Sequence, residues 1–246
     1  MAAFLCLLIS GGILANDSKK TKIHPDNPVI QALMDRHSTK LFTDQTLDRR
    51  DLSNILWAAA GINRPTFDDD GNVNGGKLTI PTAMNMQHVR VFAVMKEGIF
   101  LYDPLANDLI PIMEGDYRSR TTGTYKGVDE NGNEIWERQQ SYVFPASLDL
   151  IFVSNLSANW PSTYSRDELI FTTAISVGCA AQDVYLYAAS TKKIGATYRT
   201  SIDRVKWFEY LDLALGDPLN DYDNNGYADE MMIMGVMTIG YPAPVN

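Results

Sequence analysis

The stretch from Asp167 to Ser190 constrains the fold more than any other part of the chain. It is long and apolar, and these two properties predict a long helix. A run of small residues, Gly178-Cys179-Ala180-Ala181, lies in its middle and permits close packing. We therefore expect this helix to lie tightly against other elements of the fold.

Predicted strands occur on both sides of this helix. Residues 89–95 and 98–102 alternate around the turn Lys96-Glu97, which predicts a β-hairpin. Residues 148–154 and 231–240 are apolar almost throughout, as is typical of buried strands. Further predictions are helices over 28–36, 47–62 and 202–215, a short strand over 109–112, a loop over 63–79 and a polar surface excursion over 114–145. Because helices and strands are mixed without a regular β-α-β rhythm, the pattern favours an α+β layer fold over a doubly wound sheet.

Length and charge exclude several classes of protein. The 246 residues, 45 % of them hydrophobic, suffice for one large domain or at most two small ones. A net charge of −9 argues against nucleic acid as a partner, since a phosphate backbone requires a basic face. The body of the sequence has no uninterrupted apolar stretch of about 18–20 residues, which argues against a membrane span in the mature chain.

The N-terminus predicts export. Residues 1–15 are uncharged and apolar and end in a small residue, which is typical of a secretory signal peptide cleaved after Ala15. No Lys or Arg precedes the apolar run, and the alternative is a buried N-terminal element in a cytoplasmic protein. Residues 16–27 then form a polar leader, and residues 28–246 form the folded domain of a periplasmic or extracellular protein. Loss of the signal leaves Cys179 as the only cysteine, so an intramolecular disulfide cannot form.

A basic cluster follows the first predicted helix. Arg36, His37, Ser38, Thr39 and Lys40 are consecutive in an acidic chain. A guanidinium and a hydroxyl suit phosphate oxygens, and Ser38 and Lys40 lie on the same side of an extended chain. The alternative is a solvated helix end, where cations suit the helix dipole.

A second cluster, Pro81-Thr82-Ala83-Met84-Asn85-Met86-Gln87, connects the predicted loop to a strand. The amides of Asn85 and Gln87 can hydrogen-bond the edge of a planar heteroaromatic ring. The alternative for this cluster is an ordinary turn.

In this order the two clusters resemble motifs of the nitroreductase family of FMN flavoproteins. The first matches the pattern R-[RH]-S-x-[RK]-x-[FY], and the second matches P-[ST]-x-x-N-x-Q. A third match runs from Gly178 to Leu186, and a fourth is Ile239-Gly240-Tyr241-Pro242. The resemblance spans residues 28–242, and Leu56 to Asn63 is similar to the branch that includes dehydrogenases of azoline-modified peptides.

The resemblance implies a nitroreductase-like α+β fold, with a central mixed or antiparallel sheet flanked by helices, in an intertwined homodimer that binds FMN at its interface. It implies that Arg36 and Ser38 hold the FMN phosphate with His37 beside them, and that Lys40 approaches the pyrimidine edge of the ring. It also implies that the partner subunit contributes Pro81, Thr82, Ala83 and Asn85. For Asn85 and Gln87, cofactor contact and hydrogen bonding within their own loop are both open.

Two features depart from the family pattern. Many members end in a basic segment that contacts the phosphate, whereas this sequence ends Ala243-Pro244-Val245-Asn246. Arg199 could substitute, and the alternative is an ordinary surface arginine. Residues 221–229 follow the first nine positions of a calcium loop, but Met232 stands where Glu is needed, so a complete calcium loop is not expected. An Asx-rich turn is the simpler interpretation, and a partial, weak calcium site is the alternative. The three histidines are scattered, and no metal site is predicted.

The implied activity is an FMN-dependent oxidoreductase that reduces nitro, quinone or enone-type small molecules. The flavin N5 transfers the hydride, so no catalytic side chain is required. The electron donor is NAD(P)H or another small molecule. The alternatives are a flavin-dependent dehydrogenase of a modified peptide or metabolite, with residues 114–145 as a lid, and a flavin-binding relative without turnover.

Overall fold

A computed structural model describes residues 23–156, 163–211 and 231–244. The predicted signal peptide, most of the leader, the end of the predicted helix over 202–215 and the calcium-like segment 221–229 lie outside these residues. The helices are α1 Pro28–Asp35, α2 Arg49–Ala60, α3 Arg166–Thr191 and α4 Arg204–Tyr210. The strands are β1 Ile62–Phe67, β2 Val73–Leu78, β3 Val89–Val94, β4 Gly98–Asp103, β5 Asp108–Glu114, β6 Gly123–Val128, β7 Glu134–Arg138, β8 Leu148–Asn155, β9 Gly195–Arg199 and β10 Met231–Gly240.

Six of these strands form one sheet in the order β5-β4-β3-β8-β10-β9, and each neighbouring pair is antiparallel. The predicted α+β class with a helix-flanked sheet is therefore confirmed, and the sheet is antiparallel rather than mixed. The predicted hairpin is β3–β4, and the predicted strand over 109–112 lies within β5.

The sheet is buried on both faces along its central strand. In β8, Leu148, Leu150 and Phe152 pack with α2 and α3, while Ile151 and Val153 pack with α4 on the other face. Successive side chains of a strand point to opposite faces, which explains why a strand covered on both sides is apolar throughout.

The long helix α3 begins with a capping box. The Ser165 hydroxyl accepts a hydrogen bond from the Glu168 N–H, and the Glu168 carboxylate accepts one from the Ser165 N–H. Small residues on one side of α3 are buried against α1, α2 and β9. By length and composition alone α3 could cross a membrane, a property shared by core helices of soluble proteins. The sequence argument against a membrane span therefore does not cover this helix.

Two segments differ from the sequence prediction. The predicted loop over 63–79 is the β1–β2 hairpin, and the excursion over 114–145 contains the β6–β7 hairpin. Both hairpins are largely exposed, so alternating burial leaves no signal in their sequences. Asp68 closes the first turn by accepting hydrogen bonds from the N–H groups of Asp70 and Asn72. The β6–β7 hairpin packs through Trp136 on Tyr210 of α4, and thus on the face of the sheet opposite α3.

Candidate functional site

The basic segment 36–40 lies in an extended conformation on the end of β9. Arg36 leaves the helical conformation with φ −60° and ψ 123°, which ends α1. The Thr39 N–H donates a hydrogen bond of 2.9 Å to the Ala196 carbonyl of β9. Thr39 is buried, whereas Ser38 and Lys40 on either side of it are exposed. The segment therefore presents Ser38 and Lys40 outward, as the sequence predicts.

The close approach of this segment to β9 depends on Gly195. A Cβ atom at Gly195 would lie 2.4 Å from the Thr39 hydroxyl oxygen, which is too close for any real contact. Glycine at this position therefore makes room for the segment.

The basic segment carries free positive charge. Among the described residues no ion pair involves Arg36 or Lys40, although Arg118, Lys193 and Arg199 each pair with a carboxylate. The His37 ring is exposed, and its Nδ1 lies 2.9 Å from the Asp35 carbonyl oxygen. Two cations without carboxylate partners in an acidic protein form a favourable environment for an anion.

Tyr185 of α3 links the segment to the rest of the site. The Arg36 guanidinium lies over the Tyr185 ring, with its Cζ 5.2 Å from the ring centroid. The Ser38 Oγ lies 3.0 Å from the Tyr185 hydroxyl oxygen, and that oxygen also accepts a 2.8 Å hydrogen bond from the Tyr198 N–H. Tyr185 thus contacts both predicted phosphate ligands and β9.

A cavity of about 420 Å³ opens beside Tyr185, between α3, β9 and β10. Its walls are mostly apolar and include Gly178, Gln182 and Tyr185 on one side and Tyr198, Thr200 and Met234 on the other. A Cβ atom added at Gly178 would find no neighbouring atom within 4 Å, so the space in front of this residue is open. The volume lies within the range of roughly 300–1,000 Å³ that is usual for small-molecule sites.

The wall residue Tyr198 stays protonated. Its pKa is raised by burial, and its hydroxyl donates a 3.2 Å hydrogen bond to the Met234 carbonyl. This bond holds the ring in the wall of the cavity. Gly235 makes room for it, because a Cβ atom there would lie 2.3 Å from the Tyr198 hydroxyl oxygen.

The second predicted cluster forms a constrained loop before β3. Met84, Asn85 and Gln87 have positive φ angles of 50°, 59° and 48°, a conformation that non-glycine residues rarely adopt. The Gln87 side-chain amide donates a 2.7 Å hydrogen bond to the Gly76 carbonyl of β2, and the Gln87 N–H donates to the Thr82 hydroxyl. The Gln87 side chain therefore ties this loop to the β1–β2 hairpin. The Asn85 Oδ1 lies at 3.4 Å from the same Gln87 amide.

Arg199 is neither a surface arginine nor part of the cavity. Its side chain is buried, and its guanidinium donates to Asp149 at 3.2 Å, to the Thr238 hydroxyl at 3.0 Å and to the Thr121 carbonyl at 2.8 Å. Tyr198 points into the cavity, so its neighbour Arg199 points to the opposite face of the sheet. The predicted phosphate contact of Arg199 is therefore corrected to a buried structural ion pair.

A family model described as "Nitroreductase family" matches residues 33–223. A protein of Methanocaldococcus jannaschii that carries a nitroreductase assignment is 26 % identical over 181 residues, which cover 70 % of this chain and 81 % of that protein.

Solved structures share the fold. A protein of Ralstonia eutropha with a nitroreductase assignment superposes with a TM-score of 0.67 at 27 % identity, over 89 % of this chain and 85 % of that chain. The NADPH:FMN oxidoreductase of Vibrio harveyi, solved in complex with NAD⁺, gives a TM-score of 0.53 at 16 % identity, over 89 % and 70 % of the two chains. At that identity the second structure bears on the fold alone.

Proposed function

The chain belongs to the nitroreductase family of oxidoreductases, and on this basis we propose that it binds FMN and transfers electrons between two small molecules. One observation supports this proposal above all others: the basic segment and the cavity of about 420 Å³ share Tyr185 as a common wall. An anionic group bound by the segment thus has a mostly apolar cavity directly beside it. FMN has this combination of a phosphate and a flat ring system.

The residues present fit FMN. Arg36 and Ser38 supply a guanidinium and a hydroxyl for phosphate oxygens, and Lys40 supplies a second cation without a carboxylate partner among the described residues. Gly178 leaves the helix wall open where a larger side chain would protrude. Bound FMN would supply hydride transfer at N5. The protein would hold the phosphate, enclose the ring and place positive charge near its edge.

We propose that a second copy of the chain completes the site. The hydrogen bonds of Thr82, Asn85 and Gln87 go to β2 and to their own loop rather than to the basic segment. In a homodimer this loop could reach the cavity of the other subunit.

Exposed apolar side chains on two packed helices support the dimer. Phe171 and Ile175 on α3 are 68 % and 49 % exposed, and Val29, Leu33 and Met34 on α1 are exposed as well. Apolar side chains clustered at a surface mark interaction sites. We expect Phe171→Asp to give monomers in analytical ultracentrifugation and to weaken FMN binding, whereas Val128→Asp on β6 leaves the dimer intact. A monomeric wild-type protein would contradict the dimer proposal.

The absorption spectrum of the purified protein tests FMN binding. We expect flavin bands that disappear in Arg36→Ala/Lys40→Ala but persist in Arg49→Ala/Arg50→Ala, a control that removes the same charge from exposed positions at the start of α2. A colourless wild-type protein that does not take up added FMN would refute the proposed function.

Anaerobic mixing with NADH or NADPH tests electron transfer. We expect the flavin bands to bleach and to return when a nitroaromatic compound or a quinone is added. A flavin-loaded protein that no such donor reduces would instead support the alternative of a flavin-binding relative without turnover.

A further inference from the structure

Tyr185 lies at a branch point of hydrogen bonds between α3, β9 and the basic segment. Its hydroxyl oxygen accepts the Tyr198 N–H at 2.8 Å and lies 3.0 Å from the Ser38 Oγ. The motif match from Gly178 to Leu186 contains Tyr185 but assigns it no role in a site. In the structure, the Tyr185 hydroxyl connects Ser38 to β9.

The hydrogen-bonding capacity of the Tyr185 hydroxyl determines which groups in this chain donate and which accept. A tyrosine hydroxyl has one proton to donate and also accepts. Because the Tyr198 N–H is always a donor, the Tyr185 oxygen accepts at that contact and its own proton is available for Ser38. When Tyr185 donates to the Ser38 oxygen, the Ser38 proton is free to point outward. Hydrogen bonds in such a chain polarise one another, which makes the last hydroxyl a better donor.

The ring of Tyr185 acts on the neighbouring cation. Arg36 lies over it at 5.2 Å, within the distance at which a guanidinium is attracted by a ring face. One side chain thus orients the Ser38 donor by its hydroxyl and the Arg36 donor by its ring.

We propose that Tyr185 is the positioning residue of the phosphate site, which aligns Ser38 and Arg36 so that the protein prefers a phosphorylated flavin over the same flavin without phosphate. This inference rests on the proposed function. Tyr185 acts on the phosphate through its two neighbours, Ser38 and Arg36.

The variant Tyr185→Phe separates the hydroxyl from the ring. It keeps the aromatic face under Arg36 and removes the chain of hydrogen bonds to Ser38. We expect the Kd for FMN to rise about ten-fold, because Ser38 is no longer held in the orientation in which it donates to the phosphate, and losing a hydrogen bond to a charged group has an effect of about this size. The Kd for riboflavin, which lacks the phosphate, should change by less than about two-fold, because riboflavin does not use the Ser38 donor. Both Kd values are measured by flavin fluorescence titration of the apoprotein.

A matched control lies two residues further along the same helix. The Tyr187 hydroxyl donates a 2.7 Å hydrogen bond to Asp51 of α2, away from the basic segment. The same hydroxyl accepts a 3.0 Å hydrogen bond from the Asn54 side-chain amide. Tyr187→Phe therefore removes from α3 a hydroxyl with two hydrogen-bond partners, as Tyr185→Phe does, and both flavins should bind it as they bind the wild type.

A double-mutant cycle with Ser38→Ala tests whether Tyr185 acts through Ser38. If it does, Tyr185→Phe has little further effect on FMN binding in the Ser38→Ala protein. Additive losses, an unchanged FMN affinity in Tyr185→Phe, or an equal loss for FMN and riboflavin would each overturn the inference. A wild-type protein that binds neither flavin would instead refute the proposed function, so the two failures are distinguishable.

Discussion

Replacing Gly195 by alanine tests whether the basic segment must lie directly on β9. The new Cβ atom would lie 2.4 Å from the Thr39 Oγ1 and 2.7 Å from the Thr39 Cβ and Cγ2. Thr39 cannot rotate away into solvent, because it is buried and its N–H is bonded to the Ala196 carbonyl. The segment must therefore be displaced from β9.

The expected cost follows from this overlap. Forcing an extra carbon into a packed region costs about 1–3 kcal/mol. For a chain of this size, 1 kcal/mol lowers Tm by about 2–4 °C, so we expect a fall of roughly 2–12 °C. Ser38 and Lys40 flank Thr39 and move with it. We therefore expect the FMN affinity to fall by at least about ten-fold, which corresponds to about 1.4 kcal/mol.

Differential scanning fluorimetry and FMN titration measure the two effects, and a second substitution separates the overlap from other causes. Thr39→Gly removes all three contacting atoms, so Gly195→Ala should cost much less in the Thr39→Gly background than in the wild type. Wild-type values of Tm and Kd in Gly195→Ala would refute the reasoning. So would equal costs in the two backgrounds.

Three further predictions concern stability and cavity shape. Leu150→Ala, at a fully buried position of β8, should lower the free energy of unfolding by about 2–5 kcal/mol, seen as a lower denaturant midpoint in urea. Burial acts to raise the pKa of Asp51, but hydrogen bonds from Lys193 and Tyr187 outweigh burial and leave the pKa below its usual value. The ionised Asp51 carboxylate therefore stabilises the fold above about pH 4. That stabilisation is lost as the pH falls through the lowered pKa, and urea titrations at pH 7 and pH 3 should therefore show a smaller difference between Asp51→Asn and the wild type at the lower pH. Gly178→Ala should raise the stability of the apoprotein by up to about 1 kcal/mol and weaken FMN binding, and a gain in both would contradict the cavity assignment.

The sequence predicts those elements that are buried along most of their length and therefore appear as continuous apolar runs. Residues 148–154 and 231–240 lie in central strands covered on both faces, and the helix predicted over 167–190 is α3. The two small hairpins have no comparable signal, because most of their strand residues are exposed or only half-buried. Asx turns at Asp68 and Asp129 close the two hairpins. Turn residues reveal where a chain reverses, but they do not show whether the flanking residues pair.

The site is predicted only where its residues are adjacent in sequence. Arg36, Ser38 and Lys40 belong to one segment, and its pattern of exposure follows from an extended backbone. Tyr185 lies within the motif match from Gly178 to Leu186, but the sequence does not predict its role in the site, because a helix has several faces. Which face meets the basic segment depends on how α1 packs on α3, and no local pattern contains that information.

Arg199 shows why a cation cannot be assigned from its sequence context. The chain has 30 carboxylates and 21 Lys and Arg residues, so most cations have an acidic neighbour available. Arg199 forms an ion pair with Asp149 of β8, whereas Arg36 and Lys40 have no carboxylate partner among the described residues. A buried cation without a partner would be costly, so burial itself selects Arg199 for a structural pair. Lys40 is exposed and Arg36 is half-buried over the Tyr185 ring, so neither requires a carboxylate partner and their charge remains available to a ligand.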